Sequence, residues 1–223
     1  MKTFLILAFC FICGLGCTTM FGGWKRASVP ATQDDTGLPS PRDAQEKAPD
    51  EFKVKFKTTK GDFIVQVTRN ASPNGADRFY NLVKIGYFQD IAIFRAIEGF
   101  MFQFGIHGDP AVNKVWSEAR INDDPRGELS NEPGTITFAK TGQPNSRSVQ
   151  FFVNLGDNSF LDRQGFTPFG KVVEGMDVVN SINVEYGENA PDVQGKFQAQ
   201  GNAFIKERYP RLDFIQSVEL LTD

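Results

Sequence analysis

Apolar and charged residues alternate without interruption through Phe52-Lys53-Val54-Lys55-Phe56-Lys57, the period of a strand with one buried face. Thr59-Lys60-Gly61-Asp62 reads as a turn and Phe63-Ile64-Val65-Gln66-Val67 as the returning strand, so the folded part opens with a β-hairpin. The period then changes. Ser72-Pro73 places an N-cap residue before a proline at the first helical position, Phe79, Leu82, Val83 and Ile85 form a stripe at helical spacing, and Gly86 ends it. Apolar runs at 91–97, 100–104, 135–139, 150–155, 168–173 and 214–221 predict six further strands, and 173–182 predicts a second helix. Eight strands are the number at which a barrel interior is just filled by side chains. The pattern therefore predicts a mainly β domain, a closed eight-stranded antiparallel β-barrel capped by two α-helices. The polar stretches 106–133 and 186–210, rich in Gly, Pro and Asp, read as long loops, the second as an insertion at about 187–210 before the last strand.

The N-terminal pattern is of another kind. Met1-Lys2-Thr3 precedes an apolar run over 4–14, the length of a signal-peptide core and short for a membrane span. Gly14-Leu15-Gly16-Cys17 resembles a bacterial lipobox, which implies cleavage before Cys17 and a lipid on its new N-terminus; an ordinary secretory leader is the alternative. Residues 17–50 carry Gly22-Gly23, Pro30, Pro39, Ser40, Pro41 and Pro49 without a sustained period and read as a flexible tether. The expected organisation is a signal peptide over 1–16, a tether over 17–50 and one domain over 51–223. Its expected location is extracytoplasmic, in the periplasm or at the cell surface, attached to a membrane through Cys17; a freely secreted or periplasmic protein is the alternative.

Composition narrows the chemistry. Phe accounts for 22 of 223 residues, against 4 Tyr and 2 Trp, so the core is expected to be built on phenylalanine. A formal charge of −3 without a basic run excludes nucleic acid as the main partner. The cysteines Cys10, Cys13 and Cys17 all precede the domain, which leaves it no disulfide or thiolate chemistry. His107 is the only histidine, which excludes a His-based triad elsewhere and a multi-histidine metal site, and it reads as a loop residue without a chemical role. Gly-x-Ser-x-Gly and Walker segments do not occur, so neither a hydrolase nor an ATP-driven chaperone is supported. No cofactor and no metal are expected, and the absence of heptads favours a monomer.

The candidate chemistry lies in Phe94 to Gln103 and in Ser148 to Asn154. If both are strands, alternation sets Phe94, Ala96 and Glu98 on one face and Arg95 and Ile97 on the other. An arginine aimed at apolar surface is costly unless it is paired or binds a ligand, and a neutral segment with exposed carbonyls suits it better than a phosphate. Pairing of Arg95 to Glu98 or Asp109 is an equal reading from the residues alone, and the nearby aromatics read more simply as core. Gln103 and Gln150 weigh toward a peptide groove, because buried amides need partners. A barrel carrying a small apolar ligand would need an empty interior, which strands loaded with Phe, Ile and Val fill.

The run FRAIEGFMFQFG, Phe94 to Gly105, resembles the cyclophilin-type peptidyl-prolyl isomerase signature F-H-R-I-I-x-G-F-M-x-Q-x-G, and SVQFFVNL, Ser148 to Leu155, resembles its second signature, S-Q-F-F-I. The resemblance extends from Phe52 to about Ile182, with a last strand at 214–221. It implies the same barrel and an enzyme that accelerates rotation about X-Pro bonds, here assisting the folding of extracytoplasmic client proteins. It implies that Arg95 is the catalytic donor, that Phe100, Met101, Phe152, Leu161 and Phe166 line a proline pocket, and that Gln103 and Gln150 bond the substrate backbone. Ala139 and Lys140 match the strand edge where the family has Ala-Asn-Ala, and the loop 142–147 is one residue longer than the commonest pattern. Phe160 stands where many members carry the tryptophan that binds cyclosporin, which implies weak cyclosporin binding, and Phe166 stands where histidine or tyrosine is frequent. The partners implied are proline-containing segments of client proteins. A non-catalytic module that binds such segments is the alternative.

Overall fold

The structure, a computed structural model, describes residues 37–187 and 190–222. The predicted signal peptide, the lipidation site Cys17 and the tether up to residue 36 lie outside the described residues.

The opening hairpin forms as the alternation requires. Strand β1 (Glu51–Thr58) pairs antiparallel with β2 (Gly61–Thr68), with Phe56 opposite Phe63. The 12-residue helix α1 (Pro73–Lys84) follows, burying Phe79, Leu82 and Val83 as the stripe predicts. Its N-terminus is capped differently from the expectation. The Ser72 hydroxyl bonds Asp124 at 2.6 Å, and the Asp124 carboxylate accepts from the backbone N–H groups of Asn74 and Gly75 at 2.9 and 3.0 Å. A carboxylate from a distant loop thus meets the first-turn donors and the positive end of the helix dipole.

The predicted strand over 91–97 divides into β3 (Ile91–Ala92) and β4 (Arg95–Ile97). With β5 (Met101–Phe104), β6 (Thr135–Phe138), β7 (Phe151–Asn154), β8 (Pro168–Glu174) and β9 (Phe214–Leu220), these make one sheet in the order β3-β9-β1-β2-β8-β6-β7-β5-β4, antiparallel throughout. The expected closed barrel of eight strands is therefore corrected to a curled half-barrel of nine. The reason is local. Ile93 and Phe94 carry the chain from one edge of the sheet to the other, so the edge strands are joined covalently and not by a ladder.

Alternation directs Phe102, Phe104, Phe151, Val153, Ile136 and Phe138 to the concave face, where they meet Phe56, Phe63, Phe79, Phe88 and Phe169 in one fully desolvated cluster. The phenylalanine core anticipated from composition is the interior of this sheet, with rings such as Phe138 and Phe151 only 4.4 Å apart between centroids.

Two further expectations change. More than two helices are present. The region read as a loop over 106–133 contains α2 (Pro110–Trp116), capped by the Asp109 side chain, which accepts from Ala111 N at 2.8 Å. The predicted second helix is the short α3 (Met176–Asn180), and the expected insertion loop is largely helix α4 (Ala190–Arg208), interrupted at Gly201. In addition, the end of the expected tether lies against the domain. Ala44 and Ala48 are buried, the N–H groups of Glu46 and Ala48 donate to Asn81 and Asp77 of α1 at 2.9 and 2.8 Å, and Asn81 donates back to Glu46 O at 2.7 Å. Three hydrogen bonds to α1 side chains and two buried methyl groups order a stretch whose composition suggested mobility.

Candidate functional site

The convex face of the same strands carries the site. Register places Arg95 beside Gln103 and Gln103 beside Phe152, and in the next row Ile97 beside Met101. With a period of two, these side chains point away from the phenylalanine core. Met101, Phe152 and Leu161 form a separate buried apolar cluster, edged by Ile97, Phe100, Ala139 and Phe166. Above it opens a cleft of about 380 Å³ lined by Arg95, Phe100, Met101, Gln103, Ala139, Lys140, Gln150, Phe152, Leu161 and Phe166, with Thr141, Ser146, Ser148 and Gln194.

The polar side of the cleft is a hydrogen-bonded row. Arg95 Nη1 donates to Gln103 Oε1 at 3.4 Å, and Gln103 Nε2 donates to Gln150 Oε1 at 2.8 Å. The guanidinium lies 5.9 Å from the Phe100 ring centroid and its Nη1 4.0 Å from Met101 Sδ. Opposite, Phe166 meets Phe152 edge-on at 5.9 Å and carries the Lys140 ammonium over its face at 5.5 Å. Among the described residues the lining therefore holds two cations, several amides and hydroxyls, and no carboxylate, histidine or cysteine. Such a surface can hold an apolar ring and bond carbonyl oxygens.

Each expected catalytic and substrate-binding residue except Phe160 lines this cleft. Phe160 stands at its edge, 54% exposed and stacked on Phe100 at 6.3 Å. Ala139 faces the cleft while its N–H pairs with Gln150 O at 2.9 Å. His107 lies in the loop before α2, its Nδ1 accepting from Asp109 N at 3.0 Å, and burial among Tyr87 and its neighbours lowers its pKa against the opposing charge of Asp109.

Beneath the apolar walls runs a buried amide network that the sequence reading did not single out. Asn158 Nδ2 donates to Phe100 O and to Asn154 Oδ1, both at 2.7 Å, and Asn154 Nδ2 donates to Thr135 Oγ1 at 2.9 Å and Asn131 Oδ1 at 3.1 Å. Asn131 Nδ2 in turn donates to Asp162 Oδ1 at 2.7 Å and Phe166 O at 2.8 Å. Burial would raise the Asp162 pKa, but hydrogen bonds from Ser130 and Asn131 and the charge of Arg126 outweigh it and hold the carboxyl below its ordinary value. The network fixes the backbone of Phe100 and Phe166, two walls of the cleft. On the other side Arg78 supports the segment before Gln150, donating to Ala119 O at 2.5 Å and Ser148 O at 3.4 Å, with its pKa lowered by burial to about 10.

The profile of the family described as "Cyclophilin type peptidyl-prolyl cis-trans isomerase/CLD" matches residues 53–199. A peptidyl-prolyl cis-trans isomerase of Acinetobacter baylyi is 35% identical over 133 residues, covering 58% of this chain and 70% of the relative. Peptidyl-prolyl cis-trans isomerase B of Escherichia coli is 32% identical over 136 residues, covering 58% and 82%. The crystal structure of a cyclophilin-type isomerase from Cryptosporidium parvum superposes with a TM-score of 0.59 at 20% identity, over 78% of this chain and 99% of that one, a likeness of fold. Sequence, fold and a cleft placed where both signature segments meet agree: the chain belongs to the cyclophilin-type peptidyl-prolyl cis-trans isomerase family and is an isomerase of that type.

Proposed function

We propose that this isomerase acts on proline-containing segments of extracytoplasmic client proteins, assists their folding, and is held at a membrane by a lipid on Cys17. The observation that carries the catalytic part is the placement of Arg95 beside the Gln103–Gln150 pair and above the Met101–Phe152–Leu161 cluster.

An X-Pro bond rotates slowly because amide conjugation imposes a barrier of roughly 18–20 kcal/mol. Lowering it requires no nucleophile. The proline ring enters the floor formed by Phe100, Met101, Phe152, Leu161 and Phe166, where its burial is favourable. Gln103, Gln150 and the backbone at Ala139–Lys140 hold the flanking peptide groups. Arg95 donates to the substrate carbonyl and approaches the prolyl nitrogen as it pyramidalises, an interaction stronger in the twisted state than in either planar isomer. Arginine suits the task because its fork of donors is rigid and permanently charged. Lys140 in place of the family's asparagine retains the backbone contact and adds a cation at the rim, which bears on the preference for the residue before proline.

The test is two-dimensional NMR exchange on an Ala-Pro-Phe peptide with the full chain. Acceleration of cis/trans exchange supports the reading. Binding of the peptide without acceleration would instead make the cleft a recognition module.

A further inference from the structure

Among the described residues, the cleft is lined from the sheet, from the loops joining its strands and, at Leu161, from the short 3-10 helix Ser159–Gln164, with one lining residue from a longer helix. That residue is Gln194, on the first turns of α4, in the stretch the sequence presented as an inserted loop. Its neighbour Val193 is buried with Ala92, Phe94, Ile106, Phe197, Ile205 and Leu212 in a small second core, so the two adjacent side chains have different surroundings, one apolar and one in the cleft.

This placement is fixed by several independent contacts. Phe197 meets Phe94, the residue that leads into the strand of Arg95, edge-on at 6.1 Å, so α4 packs on the link immediately before the guanidinium. At the interruption, Gly201 adopts a positive φ of 66° and approaches the Gly108 backbone, and the N–H of Asn202 donates to Gly108 O at 2.9 Å. The Asn202 carboxamide and the Lys206 ammonium reach Asp90 at 2.7 and 2.9 Å. A helix held near its start, at its interruption and toward its end presents its cleft residue in a defined position.

We infer that Gln194 is a specificity-determining substrate contact, bonding the peptide or a polar side chain that flanks the proline. This rests on the reading of the cleft as the isomerase site. A carboxamide offers one acceptor and two donors, so it matches peptide groups and the side chains of Asn, Gln, Ser and Thr. The contact acts on planar and twisted substrate alike, so it governs KM more than kcat.

The experiment uses the full chain and a panel of peptides varied on either side of proline, with exchange rates giving kcat and KM for the native protein, Gln194→Ala, Gln194→Lys and Arg95→Ala. The expected result for Gln194→Ala is a KM raised about 3- to 10-fold with kcat within about twofold, the span of one lost hydrogen bond. Gln194→Lys is expected to move the preference toward acidic flanking residues. Unchanged KM and unchanged preference in both variants, with Arg95→Ala inactive, would overturn the inference while leaving the isomerase site intact. If the native chain does not accelerate exchange, the reading of the site fails separately. Titration with the same peptides then decides the contact: shifts of the Gln194 side-chain amide resonances support it, and their absence overturns it.

Discussion

Arg95 stands on a strand of three residues, and its direction follows from its neighbours. Ala96 is buried against the phenylalanine core, so Arg95 and Ile97 must point the other way, toward Gln103 and Met101. That much was legible in the alternation of Phe94 to Ile97. The partners were not: pairing with Glu98 or Asp109 was open from the residues alone, whereas register brings Gln103 beside Arg95 and Gln150 beside Gln103. Phe160 illustrates the reverse case, where a residue named by resemblance proves to be a rim residue, exposed and stacked on Phe100. It offers a ring but no indole donor. Phe160→Trp is accordingly expected to strengthen cyclosporin binding about tenfold, the order of one added hydrogen bond, in a calorimetric titration. An unchanged dissociation constant would show that the rim position does not limit the drug.

At the scale of elements, strands and α1 were readable because each carries its own signal: a period of two, or a Pro start, an apolar stripe and a Gly stop. Helix α4 was hidden by composition. Val193, Phe197, Phe204 and Ile205 keep helical spacing. Pro191, Gly195 and Gly201 in the same stretch argue for loop, and a second core with Phe94 and Ile106 supplies the burial that overrides that propensity. The amide network was invisible for another reason. Asn131, Asn154 and Asn158 lie in turns or at a strand end, where asparagine needs no special explanation, and only the fold shows that they form a chain beneath the cleft, ending through Asn131 on Asp162.

The Asp162 carboxyl has a folded pKa below its unfolded value of about 3.9. Its contribution to stability is then fully present above that value and is lost as pH falls through the lower folded one. Asp162→Asn should lower the melting temperature at pH 7, by several degrees if one buried bond costs about 1–3 kcal/mol. The gap from the native protein should close as the pH is taken below about 4. A gap that persists undiminished in acid would mean that the carboxylate charge plays no part in the network.

The whole molecule divides its sheet between two tasks. The concave face buries phenylalanine rings against α1, and the convex face at β4, β5, β6 and β7 exposes a peptide-sized cleft, so the core fixes the site without entering it. The chain joins the domain earlier than composition suggested, with residues 44–48 bonded to α1. Attachment at Cys17 predicts that the full chain, expressed in a bacterial host with its leader, incorporates labelled palmitate and sediments with membranes, and that Cys17→Ser abolishes both. Equal labelling of Cys17→Ser would place the lipid on another residue and remove Cys17 as the anchor.

In the proposed mechanism Arg95 stabilises the twisted amide while the apolar floor holds the ring. The measurement that tests it most directly is the cis/trans exchange rate of an Ala-Pro-Phe peptide with the full chain and with Arg95→Ala, at matched peptide saturation. The variant is expected to keep its melting temperature and still bind the peptide, while catalysed exchange falls about 10²–10³-fold, the scale of losing one transition-state donor. A folded Arg95→Ala variant that exchanges the peptide as fast as the native chain would contradict it.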